Sequence, residues 1–115
     1  MIARIWHGWA TPDGAAAYER YFRRTLTPEL RRLPGFHGAH LLRGSRDPAE
    51  AEAEVELVTI TWFDSLDAVR AFAGDEYQRA VVSERARTLL TRHDATCRHF
   101  ALAAATEDGD RPRTR

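Results

Sequence analysis

Five histidines, one cysteine and a set of arginines are the side chains best suited to polar chemistry in this chain. The histidines are His7, His37, His40, His93 and His99. His37 and His40 lie three apart in FHGAHLLR, a run of strand character, and that spacing sends their side chains to opposite faces, so they are a poor chelating pair. A single cysteine, Cys97, can form neither an internal disulfide nor a thiolate metal cluster, and reads as a small apolar strand residue of a protein in a reducing cytoplasm. No nucleotide-binding loop, zinc-ligand spacing or nucleophile elbow is found. What remains is acid–base chemistry by an imidazole near neutral pH. Arg4 and His7 on a first strand, His40 on a second and His99 on a last can converge on one pocket if those strands are neighbours.

Seventeen acidic and seventeen basic residues cancel, which removes the electrostatic basis for a nucleic acid or an anionic membrane as partner. Every basic residue is Arg, and the chain is rich in Ala, a compositional bias that lowers the weight of any single arginine. The 115 residues suffice for one domain with a core. No apolar stretch reaches the roughly 18 residues of a spanning helix. Met1 runs straight into a strand without a signal core, so a soluble cytoplasmic protein is expected.

The elements that would position these groups follow from spacing. Residues 57–63 carry no charge and place β-branched or aromatic residues at both parities, the pattern of a strand buried on both faces. Asp64 or Ser65 can cap the helix that follows, with Leu66, Val69, Phe72 and Ala73 on its apolar side and Gly74 at its end. Earlier, IARIWHGWA reads as a strand, and Thr11-Pro12 opens a helix whose apolar face is Tyr18, Tyr21, Phe22, Thr25 and Leu26. Thr27-Pro28 repeats that signal for a short second helix ended by Pro34 and Gly35. Residues 36–43 form a strand weakened at Gly38, and residues 44–53 the hairpin loop into the central strand. Residues 75–94 read as helical with a break near Val82 or Ser83, Ser83 capping a last helix with Ala86, Leu89 and Leu90 inward. Residues 95–103 form the final strand, and residues 104–115 a disordered tail outside a single domain of residues 1–103.

Strand, helix, strand, strand, helix, strand is the order of a ferredoxin-like βαββαβ sandwich, an α+β fold with a four-stranded antiparallel sheet covered on one face by helices. The doubly apolar central strand needs cover on the other face too. A second copy supplies it, and two sheets packed face to face make a dimeric α/β barrel.

With that order in hand, the local sequence resembles a known family. The opening ARIWHG, the strand PGFHGAHLLR, the Phe-Asp-Ser leading into AVRAFAG, the acidic DEY with AVV after it, and the closing RHFAL together resemble the antibiotic biosynthesis monooxygenase family of the dimeric α/β barrel superfamily, over residues 1 to about 103. Two positions depart from the family pattern. Phe63 stands where the family usually has a Trp, and Trp62 sits one residue earlier, on the opposite face. Relatives that degrade haem carry a proximal His on the helix after that strand, whereas no His occurs here between Asp64 and Arg92.

The resemblance implies a homodimeric enzyme that needs no metal, flavin or other cofactor and oxidises an aromatic or polycyclic small molecule through its carbanion. Such a site needs a dry pocket for a flat ring, a base, and a group to stabilise a developing oxyanion. Trp6, Phe63, Phe72 and Tyr77 are the expected walls, with Tyr77 and Arg70 orienting a phenolate. His99 is the first candidate for the base, since the Arg-His-Phe ending lies where the resemblance is good, and His40 is the second. A non-catalytic or stress-responsive ligand-binding barrel, and a cyclase or isomerase using the same base, are the alternatives.

Overall fold

The computed structural model describes residues 1–44 and 54–106. Most of the expected hairpin loop, residues 45–53, and the end of the expected tail, residues 107–115, lie outside the described residues. The elements are β1 (Ile2–Ala10), α1 (Pro12–Tyr21), a π-helical turn (Phe22–Leu26), α2 (Thr27–Leu30), β2 (Phe36–Arg43), β3 (Val55–Phe63), α3 (Leu66–Ala73), α4 (Glu84–Leu89), β4 (Arg92–His93) and β5 (Arg98–Ala101). All sheet pairings are antiparallel, in the order β2-β3-β1-β4, with β5 also on β1. This is the expected ferredoxin-like α+β sandwich. Among the described residues no helix is long and apolar enough to cross a membrane.

Three helix starts are made by short polar side chains, as their sequence suggests. Thr11, followed by Pro at the first helical position, accepts from Gly14 N at 3.0 Å. Ser65 accepts from Ala68 N at 3.2 Å, and Ser83 from Ala86 N at 3.1 Å. Each bond satisfies a backbone donor that the helix itself leaves without a partner. Thr27 was expected to act in the same way and does not. Helical backbone continues unbroken through it, because the turn before it closes with the Thr27 N–H on the carbonyl of Phe22, one residue wider than an α-turn. The Thr27 hydroxyl is instead buried with no hydrogen-bond partner among the described residues.

Register decides which side chains share a face. Arg4 pairs with Thr61 and Trp6 with Thr59, on the face covered by the helices; Ile5 pairs with Ile60 and His7 with Val58, on the open face. Between sheet and helices, Trp6, Tyr18, Tyr21, Phe22 and Leu57 form the main core. At the far end of β3, fully buried Phe63 lies edge-on to Phe36 and stacked on Phe72, both with ring centroids at 5.9 Å. Gly35 makes that end possible. Its φ is +81°, and a Cβ there would lie 2.7 Å from the Ala68 side chain. The central strand is thus buried on its helix side, but Val58, Ile60 and Trp62 on the open side are only half-buried within one chain.

Two expected elements differ from what forms. Residues 75–82 are not helical, and the expected final strand over residues 95–103 shortens to β5, preceded by the two-residue β4. The two changes have one cause, since each segment bonds to the other: Ala80 N donates to Ala95 O at 2.9 Å, Cys97 N to Gln78 O at 2.6 Å, and Arg79 bridges to Thr96. Backbone groups engaged in this way are unavailable to a helix or to a longer edge strand.

Phe63→Ala should cost about 3–5 kcal/mol, the range for truncating a buried aromatic side chain. Urea unfolding at constant slope measures it, and a loss under about 1 kcal/mol would contradict the packing described here.

Candidate active site

Arg4 enters the fold as a strand residue with its side chain on the covered face, and only 5% of its surface remains exposed. Its Nη1 donates to the carbonyl of Tyr77 at 2.5 Å and to Nε2 of His99 at 3.0 Å, and its Nη2 donates to the carbonyl of Arg79 at 2.9 Å. Its guanidinium also lies over the ring of Phe72, 5.6 Å from the centroid. Among the described residues no carboxylate pairs with it. Burial lowers its pKa, yet a guanidinium stays protonated in proteins, so this is a buried positive charge held by neutral acceptors.

Because Arg4 can only donate, the 3.0 Å contact assigns His99 a lone pair on Nε2 and its proton to Nδ1. Burial first, and the Arg4 charge second, hold the His99 pKa below its ordinary value. The imidazole is neutral near pH 7. Tyr77 lies edge-on to it with centroids 5.1 Å apart, and Arg70 covers the Tyr77 ring at 5.3 Å. Four residues expected at the site, His99, Tyr77, Phe72 and Arg70, therefore gather around Arg4.

Arg4 and Trp6 form one wall of a narrow, open-mouthed cleft between sheet and helices, with a cavity volume of about 60 Å³. Phe72, Tyr18, Tyr21 and the backbone-irregular residues 80–82 complete much of its lining. Trp6 is fixed there by its indole N–H, which donates to Asp94 O at 2.7 Å. Phe63 does not reach the cleft, since it lies beneath Phe72. His99, Tyr77 and Arg70 stand beside Arg4 but outside the lining. His40 is not brought to this place: it pairs with Ile60, which pairs with Ile5, on the open face of the sheet. His7 shares that face and bonds Glu56 Oε2 at 2.7 Å. Cys97 lines the cleft as a buried thiol whose pKa is pushed up by burial. Among the described residues no three His, Cys, Asp or Glu side chains are grouped so as to hold a metal ion.

Tyr18 and Thr59 were not singled out for chemistry by the sequence. Tyr18 sits on an apolar helix face, and the one signal that sets it apart from core is that it is a Tyr and not a Phe.

The lowered His99 pKa has a pH consequence. The unfolded chain, with an ordinary imidazole, takes up its proton first as pH falls, so stability should rise with pH between the lowered value and about 6.5 and drop on acidification through that window. Ring-nitrogen NMR should find the Nδ1–H tautomer and a His99 midpoint below 6.5; an Nε2–H tautomer or a raised midpoint would contradict the Arg4 contact.

Comparison with known proteins bears on the fold and the family. Among curated proteins none matches the chain. The haem degrader MhuD of Mycobacterium tuberculosis, solved with two haems in its active site, has a similar fold at TM-score 0.58 and 22% identity, over 93% of this chain and 100% of that one. A Deinococcus radiodurans protein assigned to the antibiotic biosynthesis monooxygenases matches at TM-score 0.56 and 11% identity, over 93% of this chain and 97% of that one. An ethyl tert-butyl ether degradation family protein of Bacillus halodurans matches at TM-score 0.50 and 14% identity, over 90% and 100%. The family model for antibiotic biosynthesis monooxygenase matches residues 1–84, well over half of the sequence, and the chain belongs to that family.

Proposed function

We propose that this protein is a cofactor-independent monooxygenase acting on an aromatic or polycyclic ketone or phenol bound in the cleft between sheet and helices. The observation that carries this reading is the buried Arg4 guanidinium, without a carboxylate partner among the described residues, on the wall of a cleft lined by aromatic rings. A cation in so dry a place stabilises negative charge far better than one in water. An enolisable ring ketone bound against it loses its proton more readily, and the carbanion form passes one electron to dioxygen. The resulting radicals join as a peroxide, which loses water to leave a quinone; one oxygen atom enters the product and the other departs as water.

In this scheme Trp6 and Phe72 hold the ring, Phe63 backs Phe72, and Arg4 faces the oxyanion. His99 is the base, once its Nε2 turns from Arg4 to the substrate, and Tyr77 with Arg70 fixes the plane of the imidazole. His40 is given no step. Haem degradation, the activity of MhuD, is not supported by the ligand set. The segment that bears the iron ligand in such relatives has no histidine here.

We further propose a homodimer through the open sheet face. Val58, Ile60 and Trp62 are half-buried there, and Leu42 and Phe100 are 49% and 43% exposed. A contiguous apolar face of this kind is what a second copy covers. A second functional reading, a non-catalytic ligand carrier, is favoured by His99 standing outside the cleft lining. A cyclase or isomerase would use the same base without oxygen.

Anthrone tests the chemistry: one dioxygen should be consumed per anthraquinone formed. His99→Gln, which keeps an acceptor for Arg4 but no base, should lower turnover by about 10² or more at an unchanged melting temperature. Anthrone that binds without oxygen uptake would sink the oxygenase and favour the carrier. For assembly, Ile60→Arg should convert a dimer to a monomer in light scattering, and a wild-type monomer would refute the interface.

A further inference from the structure

Tyr18 and Tyr21 are neighbours on α1 with ring centroids 5.6 Å apart, and both are nearly enclosed, with 3% and 6% of their surfaces exposed. Their hydroxyls differ. Tyr21 Oη shares a hydrogen bond with Ser83 Oγ at 2.8 Å, whereas Tyr18 Oη has no hydrogen-bond partner among the described residues. A buried hydroxyl without a partner is costly, so its presence asks for an explanation. Thr27 Oγ1 is the fully enclosed side-chain polar atom without a partner among the described residues. Tyr18 Oη is therefore not fully enclosed, and Tyr18 is one of the residues that line the cleft.

We propose that Tyr18 is a substrate-binding residue whose hydroxyl donates a hydrogen bond to an oxygen acceptor, a ring carbonyl or its enolate, of the molecule held in the cleft. This rests on the reading that the cleft binds an oxygenated aromatic compound, and it adds which side chain recognises the oxygen. Tyr18 and Arg4 line the same cleft, so a neutral donor and a charged one are carried by its walls. Burial raises the Tyr18 pKa, which keeps the phenol protonated and able to donate. A ligand of this class is a ring ketone or phenol, and a plain hydrocarbon of the same shape would leave both donors without an acceptor.

Fluorenone and fluorene, of nearly the same shape but with and without the carbonyl, separate the possibilities when titrated against the full chain by tryptophan fluorescence. Wild type should prefer fluorenone, and Tyr18→Phe should weaken fluorenone binding roughly three- to tenfold, the loss expected for one neutral hydrogen bond, while fluorene binding stays the same. The unliganded Tyr18→Phe protein should be as stable as wild type or more so, since it loses a hydroxyl that had no protein partner. Tyr21→Phe is the control: it should lose stability through its broken bond to Ser83 and keep the fluorenone preference. Unchanged fluorenone affinity in Tyr18→Phe, or destabilisation matching that of Tyr21→Phe, overturns the assignment while the cleft reading stands. If neither compound binds wild type, both fall.

Discussion

A guanidinium that leaves water must find acceptors for its N–H groups, and Arg4 leaves water near the middle of the sheet. It finds them in the carbonyls of Tyr77 and Arg79 and in the ring of His99, seventy or more residues away along the chain. Much of the second half of the structure follows from that requirement. The carbonyls it takes belong to residues 75–82, which turn at residues 76–79 instead of forming a helix and exchange backbone bonds with residues 95–97. That exchange divides the last strand into β4 and β5, and residues 80–82 become the outer wall of the cleft.

The parts of the fold governed by near neighbours were legible in the sequence. The capping hydroxyls of Thr11, Ser65 and Ser83, the uncharged run in β3 and the strand–helix order all depend on residues within a turn or two of one another. Residues 75–82 were not legible, because a helical spacing of apolar residues says nothing about a charge on β1 that needs their carbonyls. Thr27 misleads for a related reason. Thr-Pro opens a helix when the preceding backbone is extended, as at Thr11, but here the preceding π-turn is already helical.

Of the candidate site, the cluster of His99, Tyr77, Phe72 and Arg70 was named from the family resemblance and from residue type, and it gathers around Arg4. Register separates the rest. His40 and His99 are both strand histidines, and only the pairings of β2 with β3 and of β5 with β1 show that they occupy opposite faces. Phe63 was expected as a wall of the pocket, but ring stacking places Phe72 between it and the cleft. The Tyr18 hydroxyl could not be distinguished in advance from that of Tyr21, since the difference lies in whether a serine sixty residues later comes within reach.

The irregular wall of the cleft is tied to the sheet by the Arg4 side chain and a few backbone bonds, with Ala80 and Val82 packed against the core, and not by a continuous ladder or a helix. Val81 between them is 57% exposed and lines the cleft without a place in the core. The side chain at Val81 can be exchanged without disturbing the pairing of β1 with β3 on which the domain depends. The lining of the cleft can then vary at that position while the architecture persists, which is a means for a single small fold to serve many chemistries.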